Sequence, residues 1–413
     1  PSGGRHHNLC PGGMMKYLNQ MLEWNKKNGY LINSDIKKQI QKQIRIHKKY
    51  IYRLDRVEQF IDFTESNFML TTGDLRLIVL LPTQKWWFEL MLGYDMINEQ
   101  GEQVQLVNEI FLNVGRGTGK SSLMATRVLN WMILSGQFGG EAQVIAYDNK
   151  QAKHVFEQVK NQAKASPIVS ELSDLNQFKS TKTGLQFDVM LTKFSKQTND
   201  TNRAQGGNTS LNIFDEVHTY THDITEAVNK GSRQKQKNWQ SIYITSGGTK
   251  RNGLYDTMIK RFTSDEEFEN DRSVALLYRL EDKSQVKDKK NWSMALPLIG
   301  HLPSMQSVNE EYELSKQNPI LQVMFLAMNM GLQMNDTAYY FTAQESLKHE
   351  FDLSVFNGAK TYIGIDLSLS NDLTTVAFLC KPDDNYYLHT ISFTTQKNLE
   401  NCDEEQKELY LKF

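Results

Sequence analysis

The sequence predicts an α/β protein: a mostly parallel sheet covered by helices, with a helical region ahead of it and a separate β-rich segment behind it. Three observations point there. From about residue 105, apolar runs of strand length alternate with helical segments, the pattern of parallel strands buried on both faces. Before that point the apolar residues recur at helical spacing. After about residue 360, three short β-rich runs follow one another across polar turns, which predicts an antiparallel meander.

The elements follow in order. Met14 to Lys27 and Ser34 to Tyr50 are polar, Lys-rich and weakly periodic. In the second, Ile36, Ile40 and Ile44 recur every four residues, so one face is expected to pack and the charges to lie off it. Val57, Phe60, Ile61 and Phe63 or Thr64 mark a helix with one buried face. Leu77 to Pro82 is an apolar run stopped by proline, leading through Thr83, Gln84 and Lys85 into an aromatic helix, Trp86 to Leu92. Strands are then expected at Ile110–Val114, Val144–Tyr147, Leu211–Phe214 and Ile242–Thr245, and helices at Lys120–Leu134, Lys150–Ala165 and Ile224–Arg233. The first of these helices is apolar on more than one face and should be buried. Residues 280 to 305 carry several lysines and two prolines, the composition of a linker or domain edge. A helix is expected over Val308 to Met328. Strands follow at Tyr362–Leu367, Thr374–Cys380 and Tyr386–Phe393, and a polar helix at Leu399 to Leu411.

Composition narrows the function less than the pattern does. At 413 residues two or three domains are expected. A hydrophobic content of 39% and a charged content of 23% belong to a soluble globular chain. No apolar run is long enough for a membrane span, and Pro1 to Gly13 lacks the apolar core of a secretory signal. The chain does not begin with Met, which suggests a fragment or a processed product. Cys10, Cys380 and Cys402 are far apart without CxxC spacing, which argues against a disulfide framework or zinc site and fits a reducing cytoplasm. A net charge of -1 exerts no global pull on nucleic acid, so such contact must be local.

The strongest chemical signal is a strand that ends in Val114, Gly115, Arg116, Gly117, Thr118 and Gly119, after which Lys120, Ser121 and Ser122 open a helix. Glycines let main-chain amides turn inward around phosphate oxygens, and the helix N-terminus adds partial positive charge. Lys120 would contact the β- and γ-phosphates, and the Ser121 hydroxyl would ligate Mg²⁺. The common GxxxxGK[ST] pattern has its first glycine where this chain has Val114. Downstream, Leu211 to Phe214 leads into Asp215 and Glu216. Asp215 would hold Mg²⁺ and Glu216 would activate the attacking water as general base. Together the loop and the acid pair predict ATP hydrolysis. Gln84 is placed to meet the adenine edge, Arg116 to reach the γ-phosphate, and Thr245, Ser246 and Gly247 to couple hydrolysis to movement.

These motifs resemble those of the large terminase subunit of tailed bacteriophages, over residues from about 75 onward. The resemblance rests on Gln84, on the arginine-bearing loop from Gly115 to Ser121, on Asn149 to Phe156, on Phe214 to His218 and on Thr245 to Thr249. In that family the loop often lacks its first glycine, as at Val114. The resemblance implies a P-loop ATPase of RecA/ASCE-like fold at 75–290, behind a helical region at 1–74. A linker or helical subdomain at 291–355 and the start of an RNase H-like nuclease at 356–413 would follow. Nucleotide is expected on Gln84, Gly115, Gly117, Thr118, Gly119, Lys120, Ser121 and Ser122. In the nuclease, Asp366 is expected at the centre of the first strand as a ligand for Mg²⁺ or Mn²⁺, with Asp372 assisting. Glu404 and Glu405 have no assignable role, and a chain stopping at Phe413 is expected to cut DNA poorly. The resemblance also implies double-stranded DNA, a portal protein and a small terminase subunit as partners. It further implies a homo-oligomeric ring, and the host bacterial cytoplasm with transient residence on the procapsid.

DNA contact would be salt-sensitive and made to phosphates. Lys250, Arg251 and Arg261 are candidates for it or for contact with a neighbouring subunit, ahead of the basic helix carrying Lys37, Lys38, Lys42, Arg45, Lys48 and Lys49. Two alternatives stay open at this point: a helicase-like or DNA-repair P-loop ATPase, and a nucleotide-gated assembly module.

Overall fold

The first hundred residues assemble around one helix that has no polar face. In α4 (Pro82–Leu92) the side chains of Trp86, Trp87, Phe88, Leu90, Met91 and Leu92 are all buried, so the helix lies inside and other elements wrap it. This is a computed structural model. It describes residues 15–73, 75–134, 137–147, 149–198, 209–220, 224–251, 253–334, 351–367, 373–396, 399 and 407. The chain divides into two compact units, Pro1–Ala338 and Tyr339–Phe413.

Around α4 lie α1 (Lys16–Asn28), α2 (Ser34–Lys49) and α3 (Leu54–Asn67). Met15 at the start of α1 supplies no capping side chain. The fully buried Glu89 of α4 takes that role from a distance, accepting from the amides of Tyr17 at 3.1 Å and Leu18 at 2.9 Å. Gln43 and the Tyr52 hydroxyl donate to the same carboxylate. A negative group at a helix N-terminus also meets the positive end of its dipole.

Helix α2 keeps only part of the expected face: Ile36 is buried and Ile40 packs against the core. Its buried residues are Ile36, Gln39, Lys42, Gln43 and Ile46, spaced at three and four, while Ile44 is exposed. Gln39 accepts from the Ala275 amide and Gln43 from the Trp86 indole, so polar side chains occupy an interior face. Three of the basic residues expected off that face are used internally. Lys42 donates to the Glu267 carbonyl and the Ser273 hydroxyl, and Arg45 and Lys49 pair with Asp271. In α3, Thr64 completes the buried face and Phe63 lies beside it.

Short strands β1 (Ile51–Tyr52), β2 (Met69–Leu70), β3 (Arg76–Leu77), β4 (Tyr94–Ile97) and β5 (Gln103–Gln105) connect these helices to the main sheet. That sheet holds β6 (Glu109–Asn113), β7 (Glu141–Ala146), β8 (Phe178–Ser180), β9 (Gly184–Phe187), β10 (Thr192–Thr198), β11 (Thr209–Asp215), β12 (Gln240–Thr245) and β13 (Ser273–Leu277). Their order is β13-β6-β12-β11-β7-β10-β9-β8. The six strands from β13 to β10 pair in parallel, and β9 and β8 extend the edge antiparallel. Every residue of β11 and β12 is buried, as helices on both faces require. The helix α5 (Lys120–Leu134) leaves β6 and is buried along most of its length, and α6 (Asn149–Ala165) packs beside it.

Residues 280 to 305 do not form the linker that their composition suggested. They fold into short 3₁₀ turns whose Trp292, Leu296 and Ile299 join Leu280, Val308 and Phe325 in a core of their own. The single helix expected over Val308 to Met328 is two, Met305–Ser315 and Pro319–Met328. Asn318 caps the second through its side chain and Pro319 occupies the first turn, where a missing amide costs nothing. In the second unit β14 (Thr361–Asp366), β15 (Thr374–Cys380) and β16 (Tyr387–Phe393) form the expected antiparallel meander. Asp366 is the last residue of its strand, not a central one, and is exposed. Asp372, Glu404, Glu405, Cys10 and Cys402 lie outside the described residues, as does most of the expected final helix.

Glu89→Ala removes an acceptor for four donors and strands two amides of α1. The expected cost is about 3 kcal/mol or more. Denaturant unfolding measures it, and α1 should lose amide exchange protection ahead of the sheet.

Candidate functional site

The parallel strands end together. Thr245 pairs with Asn113 and Asp215 with Ile244, so the loop after β6, the acids after β11 and the segment after β12 meet at one carboxyl edge. Open α/β sheets bind their ligands at this edge. The β12 strand lies between the other two, which puts Thr245 and Ser246 between the loop and the acid pair.

Val114 continues the strand. Its amide donates to the Thr245 carbonyl at 3.1 Å and its side chain is buried, so no glycine is needed there. The left-handed turns come later, at Gly117 (φ 80°) and Gly119 (φ 78°). Gly115 is demanded by space instead. A side chain there would lie 2.4 Å from both the Asn329 carbonyl oxygen and Leu296. The Gly115 amide donates to the Ala295 carbonyl at 3.3 Å and that of Arg116 to Met328 at 3.1 Å. The amides of Gly117, Thr118, Gly119, Lys120 and Ser121 have no partner among the described residues. Five converging free donors at the start of a long helix form an anion cradle.

Lys120 is nine-tenths buried and donates to the Val114 carbonyl at 2.9 Å and to Gly115 at 3.4 Å. Burial pushes its ammonium down to about 8, against the pull of Glu216 and Asp215. Asp215 is 4% exposed and makes no ion pair among the described residues. Burial, with the Glu216 charge beside it, pushes its carboxyl up to about 7. Burial also raises Glu216. The hydrogen bond from His218 and the charges of His218, Lys120 and Arg116 outweigh that effect and hold it below the ordinary value. Glu216 has φ 50°, uncommon for a residue with a side chain and frequent at active sites.

His218 is the residue that sequence reasoning quoted without giving it a task. Its Nδ1 lies 3.1 Å from Glu216 Oε2 and 3.0 Å from Thr245 Oγ1. With the proton on Nδ1 the ring donates to the carboxylate; with it on Nε2 the Thr245 hydroxyl can donate to Nδ1 instead. The imidazole therefore connects the coupling strand to the acid pair. Ser246 Oγ lies 3.5 Å from the same carboxylate. Gly247 (φ 95°) passes against the Ala327 carbonyl, 2.3 Å from where a side chain would start. The signal was present in the closeness of Glu216 and His218, two residues apart, but nothing in the sequence placed Thr245 opposite.

The other expected residues fall as follows. Gln84 Oε1 accepts from the Leu81 amide, and its Nε2 approaches Gly119 without a partner among the described residues. Thr118 donates to the Gly115 carbonyl and shapes the loop. The Ser121 hydroxyl has no partner among the described residues, while Ser122 Oγ accepts from Gln162 on α6. Arg116 is exposed and makes no ion pair among the described residues. Of the expected DNA contacts, Arg251 pairs with Asp256 and Arg261 with Glu109 and Glu267. Lys250 is exposed, over the Tyr147 ring. Free amides, an ammonium, an unpaired hydroxyl and an unpaired buried carboxylate suit a nucleotide with a divalent cation. Among the described residues Asp366 has no such company, since no group of three His, Cys, Asp or Glu side chains could hold a metal.

Two family models match the chain: the terminase large subunit ATPase domain over residues 83–263 and the terminase large subunit endonuclease domain over residues 267–412. The terminase large subunits of Lactococcus phage p2 and Lactococcus phage SK1 are each 65% identical over 399 residues, covering 97% of this chain and 74% of theirs. The crystal structure of the HK97 bacteriophage large terminase superposes with a TM-score of 0.57 at 20% identity, covering 84% of this chain and 69% of that one. At that identity the likeness concerns the fold.

The burial of Asp215 predicts a stability effect opposite to its functional one. Its pKa is raised from 3.8 to about 7, so the folded state holds a proton that the unfolded chain releases near pH 4. The group costs nothing below that pH and progressively more up to about pH 7. Asp215→Asn should therefore stabilise the nucleotide-free protein at pH 8, by on the order of 2–4 kcal/mol, and hardly at all at pH 4. Thermal melts at both pH values decide.

Proposed function

The chain belongs to the phage terminase large subunit family, and from that premise we propose that the strand-end corner hydrolyses ATP to drive double-stranded DNA into a procapsid. The observation that carries this reading is the meeting of five amides without partners among the described residues, Lys120 and the Asp215–Glu216 pair at one sheet edge. Amides of Gly117 to Ser121 bind the phosphates, and Lys120 exchanges its two loop carbonyls for phosphate oxygens. Ser121 and Asp215 are the residues to hold Mg²⁺, which when bound neutralises the β- and γ-oxygens. Asp215 gives up its proton to do so. Glu216, kept ionised by His218, accepts the proton of the attacking water. Arg116 reaches out to the γ-phosphate, and Gln84 offers its free amide NH₂ at the nucleotide side of the loop.

Coupling runs through the imidazole. Whether His218 Nδ1 serves Glu216 or Thr245 depends on the partner that the Thr245 hydroxyl takes, so a γ-phosphate sensed by Thr245 is felt at the general base. Asp366 is a metal-holding carboxylate of the nuclease domain. The described residues supply it no companions, and no cutting step is derived. DNA, a portal protein and a small terminase subunit as partners rest on family membership. So do a homo-oligomeric ring and the host bacterial cytoplasm as its setting. The helicase-like and assembly-module alternatives gain no support from the family.

Lys120→Ala and Glu216→Gln should each abolish ATP turnover, and persistent turnover in both would overturn the site. The two should differ in binding, because only Lys120→Ala removes a phosphate contact. His218→Ala should leave the KM for ATP within a few fold. Its kcat should fall roughly 10–100-fold, part of the 10²–10⁴ that a general base contributes. The acidic limb of its pH–rate profile should move upward as Glu216 loses its donor. A fall in kcat with an unmoved profile would reduce His218 to packing.

A further inference from the structure

A cavity of about 320 Å³ opens at the end of the sheet where β12 begins, opposite the strand ends of the nucleotide corner. Arg53 and Arg56 at the start of α3 line it, with Arg127, Asn130 and Trp131 of α5. Its charges do not balance. Asp55 and Asp95 neutralise Arg53 and Arg56, but Arg127 makes no ion pair among the described residues. Its Nε and Nη2 share one acceptor, Gln240 Oε1, at 3.3 and 3.0 Å. The side chain is 5% exposed. Nη1 of Arg127 and Nη1 of Arg56 have no partner among the described residues. Asn130 Oδ1 is buried and also without one. Burial, and then the Arg56 charge, press the Arg127 guanidinium down to about 9. A buried charge without a counter-ion is expensive, and a second cation beside it adds to that cost.

We propose that this cavity is a second anion site, which takes the phosphate group of a small phosphorylated molecule between Arg56 and Arg127. The planar guanidinium fork suits phosphoryl oxygens. The volume is in the range of small-ligand pockets. A duplex backbone presents its phosphates on a convex rod and meets exposed cations, whereas Arg127 is reached only by a group that enters the cavity. The site is separate from the nucleotide corner, yet both stand on α5, which begins at Lys120 and carries Arg127.

The test is calorimetric titration of the full chain carrying Lys120→Ala, which weakens the first site. Inorganic phosphate, pyrophosphate and ADP are the probes. Saturable binding is expected, and adding Arg127→Met should weaken it at least about tenfold. Gln59→Glu should do the same from the exposed rim of the cavity by supplying an internal carboxylate. It keeps the test decisive if the arginine variant does not fold. Equal affinity for pyrophosphate and ADP assigns the site to free phosphates, and tighter ADP assigns it to a nucleotide. No saturable binding at millimolar phosphate, or binding unchanged by Gln59→Glu, overturns the proposal.

Discussion

The nucleotide corner depends on an ammonium that the fold buries without a carboxylate in contact. Lys120 rests on two main-chain carbonyls, which solvate it weakly, and the nearby acids act on it only through space. Carbonyl oxygens can be exchanged for phosphate oxygens at little cost, whereas a tight ion pair would have to be broken first. The same logic holds across the cleft, where Asp215 is buried, makes no ion pair among the described residues and has its carboxyl pushed up to about 7; in the proposed function a cation would take the proton's place. Each side of the corner thus buries an ionisable group with no ion pair among the described residues, and in the proposed function one nucleotide with its cation would complete both.

In the proposed function the position of β12 turns that completion into a signal. Because the strand runs between the loop strand and the acid strand, its last residue touches both. Thr245 takes the Val114 amide through its carbonyl and the His218 ring through its hydroxyl. A displacement of Thr245 would therefore reach both the loop and, through His218, Glu216, which is the geometric basis of the proposed coupling. The unusual backbone of Glu216 belongs to the same arrangement, since the residue that adopts it carries the carboxylate in contact with His218.

Much of this was legible in the sequence because it depends on local pattern. Alternation gave the parallel core, Gly117 and Gly119 gave the turns, and the three β-rich runs gave the meander. What could not be read depends on partners distant in the chain. Gln39 and Gln43 occupy the interior face of α2 because Ala275, Trp86 and Glu89 offer them hydrogen bonds, so counting isoleucines found Ile36 and Ile40 but ran on to the exposed Ile44 and missed the glutamines. Residues 280 to 305 look like a linker by charge, but their lysines point outward from a core centred on Trp292. Pro319 breaks a helix that apolar spacing alone continues. His218 and Thr245 are 27 residues apart, and only the strand order brings them together.

The loop is also held from outside by the end of the Pro319–Met328 helix. Its final carbonyls carry partial negative charge, and Met328 already takes the amide of Arg116. That amide is the last of the loop to be held by the protein, and the five that follow, Gly117 to Ser121, have no partner among the described residues. The helix end therefore clamps the stem of the cradle and leaves its rim open. A substitution in the Trp292 core that loosened the helix would release that stem and blur the cradle from a distance.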